Sequence, residues 1–161
     1  MLSMKKMKSE IYFTMDVEGR RTLETGVPTT YFIDHPLDLP EFCFRSFGLH
    51  IHFSKEDLAK LSYKEICEII KKRKKSLERK AEKKVTKYFR SGWLLTDSKL
   101  EKATNGLGMK MINTNVRYYT AWLPKKKIIF IVHSYDSPTY IKLLIFYLKL
   151  FHPFAKWRTF D

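Results

Sequence analysis

A chain of 161 residues with 44% hydrophobic and 15% aromatic content is long enough and apolar enough to bury a core of its own, which excludes a disordered chain and a scaffold that depends on staples. Lys and Arg number 31 against 17 Asp and Glu, a net charge of +14, so the favoured partners are acidic, and charge alone does not choose among nucleic acid, anionic lipid and an acidic protein. Cys43 and Cys67 are the only cysteines, too few for a disulfide framework and without a CxxC neighbour, so both are expected to be reduced core thiols in a cytoplasmic protein.

Residues 1–9 are expected to fray, and residues 10–161 to form one α+β domain. The start, MLSMKKMKSEIYF, carries charge but no apolar run after it, so no signal peptide is read, and no stretch is long and apolar enough to span a bilayer. Residues 11–15 read as a strand closed by Gly19, residues 22–25 as a second short strand, and residues 29–33 (TTYFI) as a third, β-branched and aromatic. Pro36 and Pro40 make DHPLDLPEF an ordered loop in which Leu37, Leu39 and Phe42 need burial. In residues 44–53, Phe47, Leu49, Ile51 and Phe53 alternate with Ser46, Gly48, His50 and His52, the period-two pattern of a strand with one face in solvent. Ser54 and Asp57 cap a short helical turn.

Residues 62–89 dominate the middle of the chain. Ser62 is a good N-cap with Glu65 at the capping-box spacing. Tyr63, Ile66, Ile70, Leu77, Ala81 and Val85 then recur at helical steps, and no Gly or Pro interrupts them, so one long helix is expected as far as residue 89. Its other face is basic: Lys71, Lys72, Arg73, Lys74, Lys75, Arg79, Lys80, Lys83, Lys84 and Lys87. These residues are the expected contact surface for a partner or anion. From Trp93 onward the runs 93–95, 99–103, 107–112, 116–123 and 127–132 look β-like, separated by Asn105-Gly106, Asn113-Thr114-Asn115 and Pro124-Lys125-Lys126. Asn-Gly is a strong hairpin signal, so an antiparallel meander is expected. Ser137-Pro138 then opens a final helix, apolar nearly all round, that should be buried on more than one side.

The expected fold is an antiparallel sheet sandwiched by the long basic helix and the C-terminal apolar helix. Four segments carry a resemblance: YFIDHP; HIHFS leading into LSYKEICEII; LEKATNGLGMKMI; and IFIVHSYDSPTYIKLLIFYLKLF. Over residues 29–154 their order resembles the PsbP-like superfamily, which includes PsbP, Ran-binding Mog-type and effector-chaperone proteins. The resemblance implies a non-enzymatic binding module with no catalytic residues and no cofactor. The basic helix face would engage an acidic partner as an adaptor, chaperone or inhibitor, or bind nucleic acid through backbone phosphates.

A third reading is a metal-dependent hydrolase. His50 and His52, at i and i+2 on a strand, point to one side and can reach one ion, with His35, His133 or Asp136 as candidate further ligands. The HxS at residues 52–54 lacks the second HxS or HxT that a two-histidine phosphoesterase needs, and residues 134–137 read as the entry to the last helix rather than as part of a serine triad.

Overall fold

The computed structural model describes residues 9–19, 22–112 and 127–161. In chain order these form β1 (Glu10–Val17), β2 (Thr30–Ile33), β3 (Ser46–Ile51), α1 (Lys55–Lys60), α2 (Tyr63–Ala81), β4 (Tyr88–Ser91), α3 (Ser98–Gly106), β5 (Lys110–Met111), β6 (Lys127–His133), α4 (Pro138–Phe151) and β7 (Lys156–Arg158). Short 3₁₀ turns cover Pro36–Asp38 and Gly92–Leu94.

Every strand pairing among these residues is parallel. The order across the sheet is β5-β4-β3-β2-β1-β6, and β7 extends the β2 side of β1 by pairing with residues 10–12 while β2 pairs with residues 14–17. This corrects the expected antiparallel sandwich. Parallel neighbours need crossovers, and helices supply two of them: α1 and α2 between β3 and β4, and α3 between β4 and β5. The hairpin expected at Asn105-Gly106 is instead the end of α3. Asp97 caps that helix by accepting from Leu100 N (2.9 Å), and Leu100, Ala103 and Thr104 are its buried side. Residues 22–25 form no strand. The run 116–123 and the two turns beside it lie outside the described residues.

Two apolar layers explain the pairing. Ile11, Phe13, Met15 and Val17 of β1, with Tyr31, Ile33, Phe47, Leu49, Phe89 and Val132, face the helices and meet Leu58, Ile66, Ile70, Leu77, Leu100, Ile141 and Ile145. The other sheet face is buried too, around Phe32, Ile112 and Phe160, with Tyr12, Tyr88 and Ile129 against them. β3 is therefore buried along its whole length, and the alternation read as solvent against core is polar concave face against apolar convex face. The concave face carries Thr14, Asp16, Thr30, Ser46, His50 and Arg90, all buried. β4 and β1 stand three strand positions apart, about 14 Å in a flat sheet. Arg90 nonetheless bonds Asp16 directly at 3.0 Å, so the sheet is curled into a half-barrel.

The long helix starts as expected: Ser62 Oγ accepts from Glu65 N, and Glu65 accepts from Ser62 N (2.7 Å). It ends sooner, at Ala81. Glu82 takes the left-handed conformation (φ 53°), and the β-branched and aromatic stretch Val85-Thr86-Lys87-Tyr88-Phe89 goes into β4. α4 begins at Ser137-Pro138 as expected, but is buried on one side only, by Ile141, Ile145 and Leu148. Leu143, Phe146, Tyr147, Leu150 and Phe151 remain exposed, as does Leu37 in the proline loop. Cys67 is buried but Cys43 is exposed, against the expectation of two core thiols. Among the described residues no helix is long and apolar enough to cross a membrane.

Candidate active site

Parallel strands bring their C-terminal ends to one edge, where ligands of α/β sheets are bound. At that edge β1 delivers Asp16 and, just beyond its end, Glu18; β3 delivers His50 and, just beyond its end, His52; β4 delivers Arg90; β6 delivers His133. Asp16 and His133 are register partners on neighbouring parallel strands and so share a face. Glu18 is fixed by its backbone: its N–H donates to Ser134 Oγ and its carbonyl accepts from the same hydroxyl, both at 2.9 Å. Gly19, at φ 86°, then turns the chain away.

Two imidazoles converge on one carboxylate oxygen. His50 Nε2 lies 3.3 Å and His52 Nε2 3.0 Å from Glu18 Oε1, with the two rings 4.7 Å apart. His50 Nδ1 lies 3.1 Å from the Arg90 carbonyl, which only accepts, so His50 carries a proton on Nδ1 and Nε2 is left to face Glu18. Nε2 facing a carboxylate is favourable only with positive charge between them, either a proton on the ring or a cation. The hydrogen bonding to His50, reinforced by both rings, holds the Glu18 carboxyl at about 2, well below its usual 4.5, against the upward pull of partial burial. One divalent ion would satisfy all three groups without placing two imidazoliums side by side. The geometry fits: the three ligand atoms lie within 4.8 Å of one another, and ligands bonded at about 2.1 Å to a tetrahedral ion stand about 3.4 Å apart. Two histidines and one carboxylate leave further positions open, the pattern of a catalytic rather than a structural site.

The expected pairing of His50 with His52 is met, but the third member is Glu18. His35 is exposed and accepts from Leu37 N at the start of a 3₁₀ turn, and Asp136 accepts from the His133 backbone N–H (2.7 Å); neither joins the group. The HxS serine, Ser54, caps α1. Asp16 and Arg90 were not singled out from the sequence. Arg90 Nη1 donates to Asp16 Oδ1 and to Thr14 Oγ1, both at 3.0 Å, its Nε donates to Ile112 O (3.2 Å), and its guanidinium lies 4.4 Å over the Phe32 ring. Burial pushes the Arg90 pKa down and Asp16 opposes that shift.

Gly92 sets the position of His52. A Cβ at Gly92 would overlap the His52 ring at Nδ1, Cγ and Cε1. Gly92→Ala is expected to displace His52 and weaken zinc binding at least ~10-fold, the loss typical when a ligand's support is removed, read by competition with a chelating dye.

The basic residues lie elsewhere. Lys71, Lys72, Lys75, Arg79, Lys80, Lys83, Lys84 and Lys87 are exposed; Arg73 and Lys74 are half-buried, Arg73 donating to Asp34 O (2.6 Å). Lys83 Nζ donates to Phe44 O (2.8 Å), just before β3 begins. The C-terminal end of α2 is thus at the N-terminal edge of the sheet, opposite the histidines, and Lys83, Lys84 and Lys87 lie beyond the helix.

No family model matches the sequence, and no curated protein matches it significantly. Solved structures do match. A CE4 family pseudoenzyme from Bacillus anthracis, BA3943, superposes with TM-score 0.63 and 16% identity over 94% of this chain and 64% of its own; a mutant of it with restored enzymatic activity gives 0.62. The Bc1960 peptidoglycan N-acetylglucosamine deacetylase gives 0.58 and 17% identity over 94% of this chain and 86% of its own. A family 4 carbohydrate esterase from Streptomyces lividans, in complex with acetate, gives 0.58 and 10% identity over 91% and 90%. The chain spans less than two thirds of the first two structures' length. These neighbours replace the PsbP-like resemblance. Together with the Glu18 group they also overturn the reading as a non-enzymatic module that binds an acidic protein through its basic helix. The fold of the described residues is that of the family 4 carbohydrate esterases, a curled parallel half-barrel.

Proposed function

We propose that the chain is a metal-dependent hydrolase that removes an acyl group from a saccharide. The observation that carries this reading is the convergence of His50, His52 and Glu18 on one point at the C-terminal edge of the sheet. The fold alone does not carry it, since one of the neighbours is a pseudoenzyme. A second feature supports it. Among the described residues the buried side-chain polar atoms without a hydrogen-bond partner are Thr22 Oγ1, His52 Nδ1, Arg90 Nη2 and His133 Nδ1. His52, Arg90 and His133 belong to the site, and Thr22 lines the cleft beside it with Glu18. Unpaired buried polar atoms are rare, and their gathering at one place is what a site built for an ion, water or substrate leaves behind.

His50, His52 and Glu18 would hold the ion, which when bound supplies Lewis acidity to a carbonyl oxygen and a more acidic water. The remaining groups do proton work. Asp16, held in place by Arg90, is the carboxylate positioned to take a proton from an attacking water. His133, opposite Asp16 on β6, is the imidazole positioned to return one to the departing nitrogen or oxygen. Arg90 Nη1 donates to Asp16 Oδ1 at 3.0 Å, so the buried carboxylate has a cation beside it.

Purified protein is expected to retain about one equivalent of divalent metal per chain, and to release acetate from N-acetylglucosamine oligomers in a chelator-sensitive manner. Elemental analysis and an acetate assay check this. Protein that takes up no metal on addition of excess zinc, cobalt or nickel refutes the reading.

A further inference from the structure

We infer that the outer face of α4 docks on an anionic membrane surface, its apolar side chains entering the headgroup boundary and its lysines meeting lipid phosphates. Nothing in this surface depends on the metal group.

α4 is apolar on two sides and uses only one of them in the fold. At 3.6 residues per turn, Ile141, Ile145 and Leu148 fall in an arc of about 60° on the core side. Phe146, Leu150, Leu143 and Tyr147 fall in an arc of about 100° opposite it, and Tyr140 and Phe151 extend that arc at one border. Lys142 and Lys149, both exposed, stand at the other border. Phe154, just past the helix, adds to the patch, and all seven apolar side chains are between 51% and 76% exposed. At such exposures they leave on the order of 800 Å² open, more than the roughly 300–600 Å² of the largest patch on an ordinary monomer.

The face is also braced. Tyr147 stacks on Phe151 (6.0 Å, 10°) and meets Phe146 edge-on (6.1 Å, 69°). Rings already held by one another lose little freedom when they dock.

Charge selects what covers the face. Between Asp136 and Asp161 the chain carries Lys142, Lys149, Lys156 and Arg158 and no Asp or Glu. A second copy on the same face would set lysine against lysine, with no acid in the stretch to pair them, and would join two chains of net charge +14. A protein partner needs a rim of hydrogen-bonding groups, and the outward arc offers only the hydroxyls of Tyr140 and Tyr147. An anionic bilayer suits every part of the surface: phosphates for the bordering lysines, acyl chains for Leu and Phe, and the boundary between them for tyrosine. With 14 residues α4 is about 21 Å long, too short to cross a hydrocarbon core of ~30 Å, so it lies along the surface.

The test is sedimentation of the full chain with sucrose-loaded vesicles, of phosphatidylcholine alone or of an equimolar mixture with phosphatidylglycerol, at low and high salt. A chain of this charge meets anionic surfaces through any basic patch, so three double variants separate the sources. They are Phe146→Ser with Leu150→Ser, Lys142→Glu with Lys149→Glu, and, as control on α2, Lys71→Glu with Lys72→Glu. The wild type should prefer the mixed vesicles at least ~10-fold and keep measurable binding at high salt, where surface charge is screened. The serine pair should lose at least ~10-fold at both salts, the α4 glutamate pair at least ~10-fold at low salt, and the α2 pair less than about threefold. Melting by circular dichroism checks that each variant folds. Leu150→Trp keeps the face apolar, and its added emission should shift to the blue on mixed vesicles, which decides the matter if the serine pair unfolds.

A folded serine pair that binds as tightly as the wild type overturns the inference, as do equal losses in the two glutamate pairs or an unshifted Leu150→Trp. A wild type that ignores both kinds of vesicle overturns it too. If that wild type sediments as a dimer and the serine pair as a monomer, the face belongs to a second copy.

Discussion

Glu18→Gln is expected to lose essentially all acyl-releasing activity, by at least ~1000-fold, and to weaken zinc binding at least ~100-fold, more than the 10- to 100-fold that loss of a supporting contact costs. The substitution keeps the shape of the side chain and its backbone bonds to Ser134, so the fold should not register it. What it removes is the charge toward which both imidazoles are aimed. His50 cannot reorganise to suit the amide, because its Nδ1 is committed to the Arg90 carbonyl. Metal content by elemental analysis and acetate release are the two readouts. A glutamine variant that retains one equivalent of tightly bound zinc would show that Glu18 is not a ligand, and that the histidines recruit another group.

Arg90→Met is expected to destabilise the protein by about 3–5 kcal/mol, the usual cost of removing one partner of a buried ion pair. The magnitude follows from what is left behind. Asp16 is buried, and Arg90 supplies the only cation paired with it among the described ion pairs. Methionine would fill much of the space over Phe32, so lost packing is a minor part of the effect. Urea unfolding of the metal-free protein measures this. Asp16→Asn combined with Arg90→Met should recover a substantial part of the loss, because the orphaned carboxylate is then gone. A single-variant loss below about 1 kcal/mol, the scale of an exposed pair, would mean that Asp16 finds another partner and that Arg90 does not hold it.

The sequence was most legible where structure is set locally. The capping box at Ser62 and Glu65 and the Ser137-Pro138 helix start are satisfied by atoms a few residues apart, so spacing alone reveals them. His50 and His52 were legible for the same reason, since strand geometry alone aims both to one side. Strand direction was not legible. Short apolar runs pair equally well either way, and the decision lay in whether residues 98–106 made a turn or a helix. Asp97 was the cue for a helix, and Asn105-Gly106 the distraction. The absence of Gly and Pro carried the long helix too far, because Glu82 accepted a left-handed conformation usually left to glycine. Phe89 was thereby read as the tail of a helix, and Arg90 beside it was passed over although it is fully buried. Glu18 had a readable signal: Asp16 and Glu18 repeat, at the end of an earlier strand, the i and i+2 spacing of His50 and His52, and Gly19 closes the run.

The place of β1 in the sheet has a consequence for the nascent chain. Its side-chain bond from Thr14 to the Phe130 carbonyl spans 116 residues, and Phe160 closes the concave face by donating to Thr30 across 130 residues. At about 5–20 residues per second, ribosomal synthesis makes β1 wait on the order of 10 seconds for β6 to be translated. Until then an apolar strand with its β6 edge unpaired is displayed, which is a substrate for chaperones and a template for misassociation. Once the partners exist, closure itself should take milliseconds to seconds, as for other sheets dominated by distant pairings. Glu18, which depends on Ser134 for its position, cannot join His50 and His52 before that moment, so uptake of a metal ion would time the completion of folding in a cell-free translation reaction.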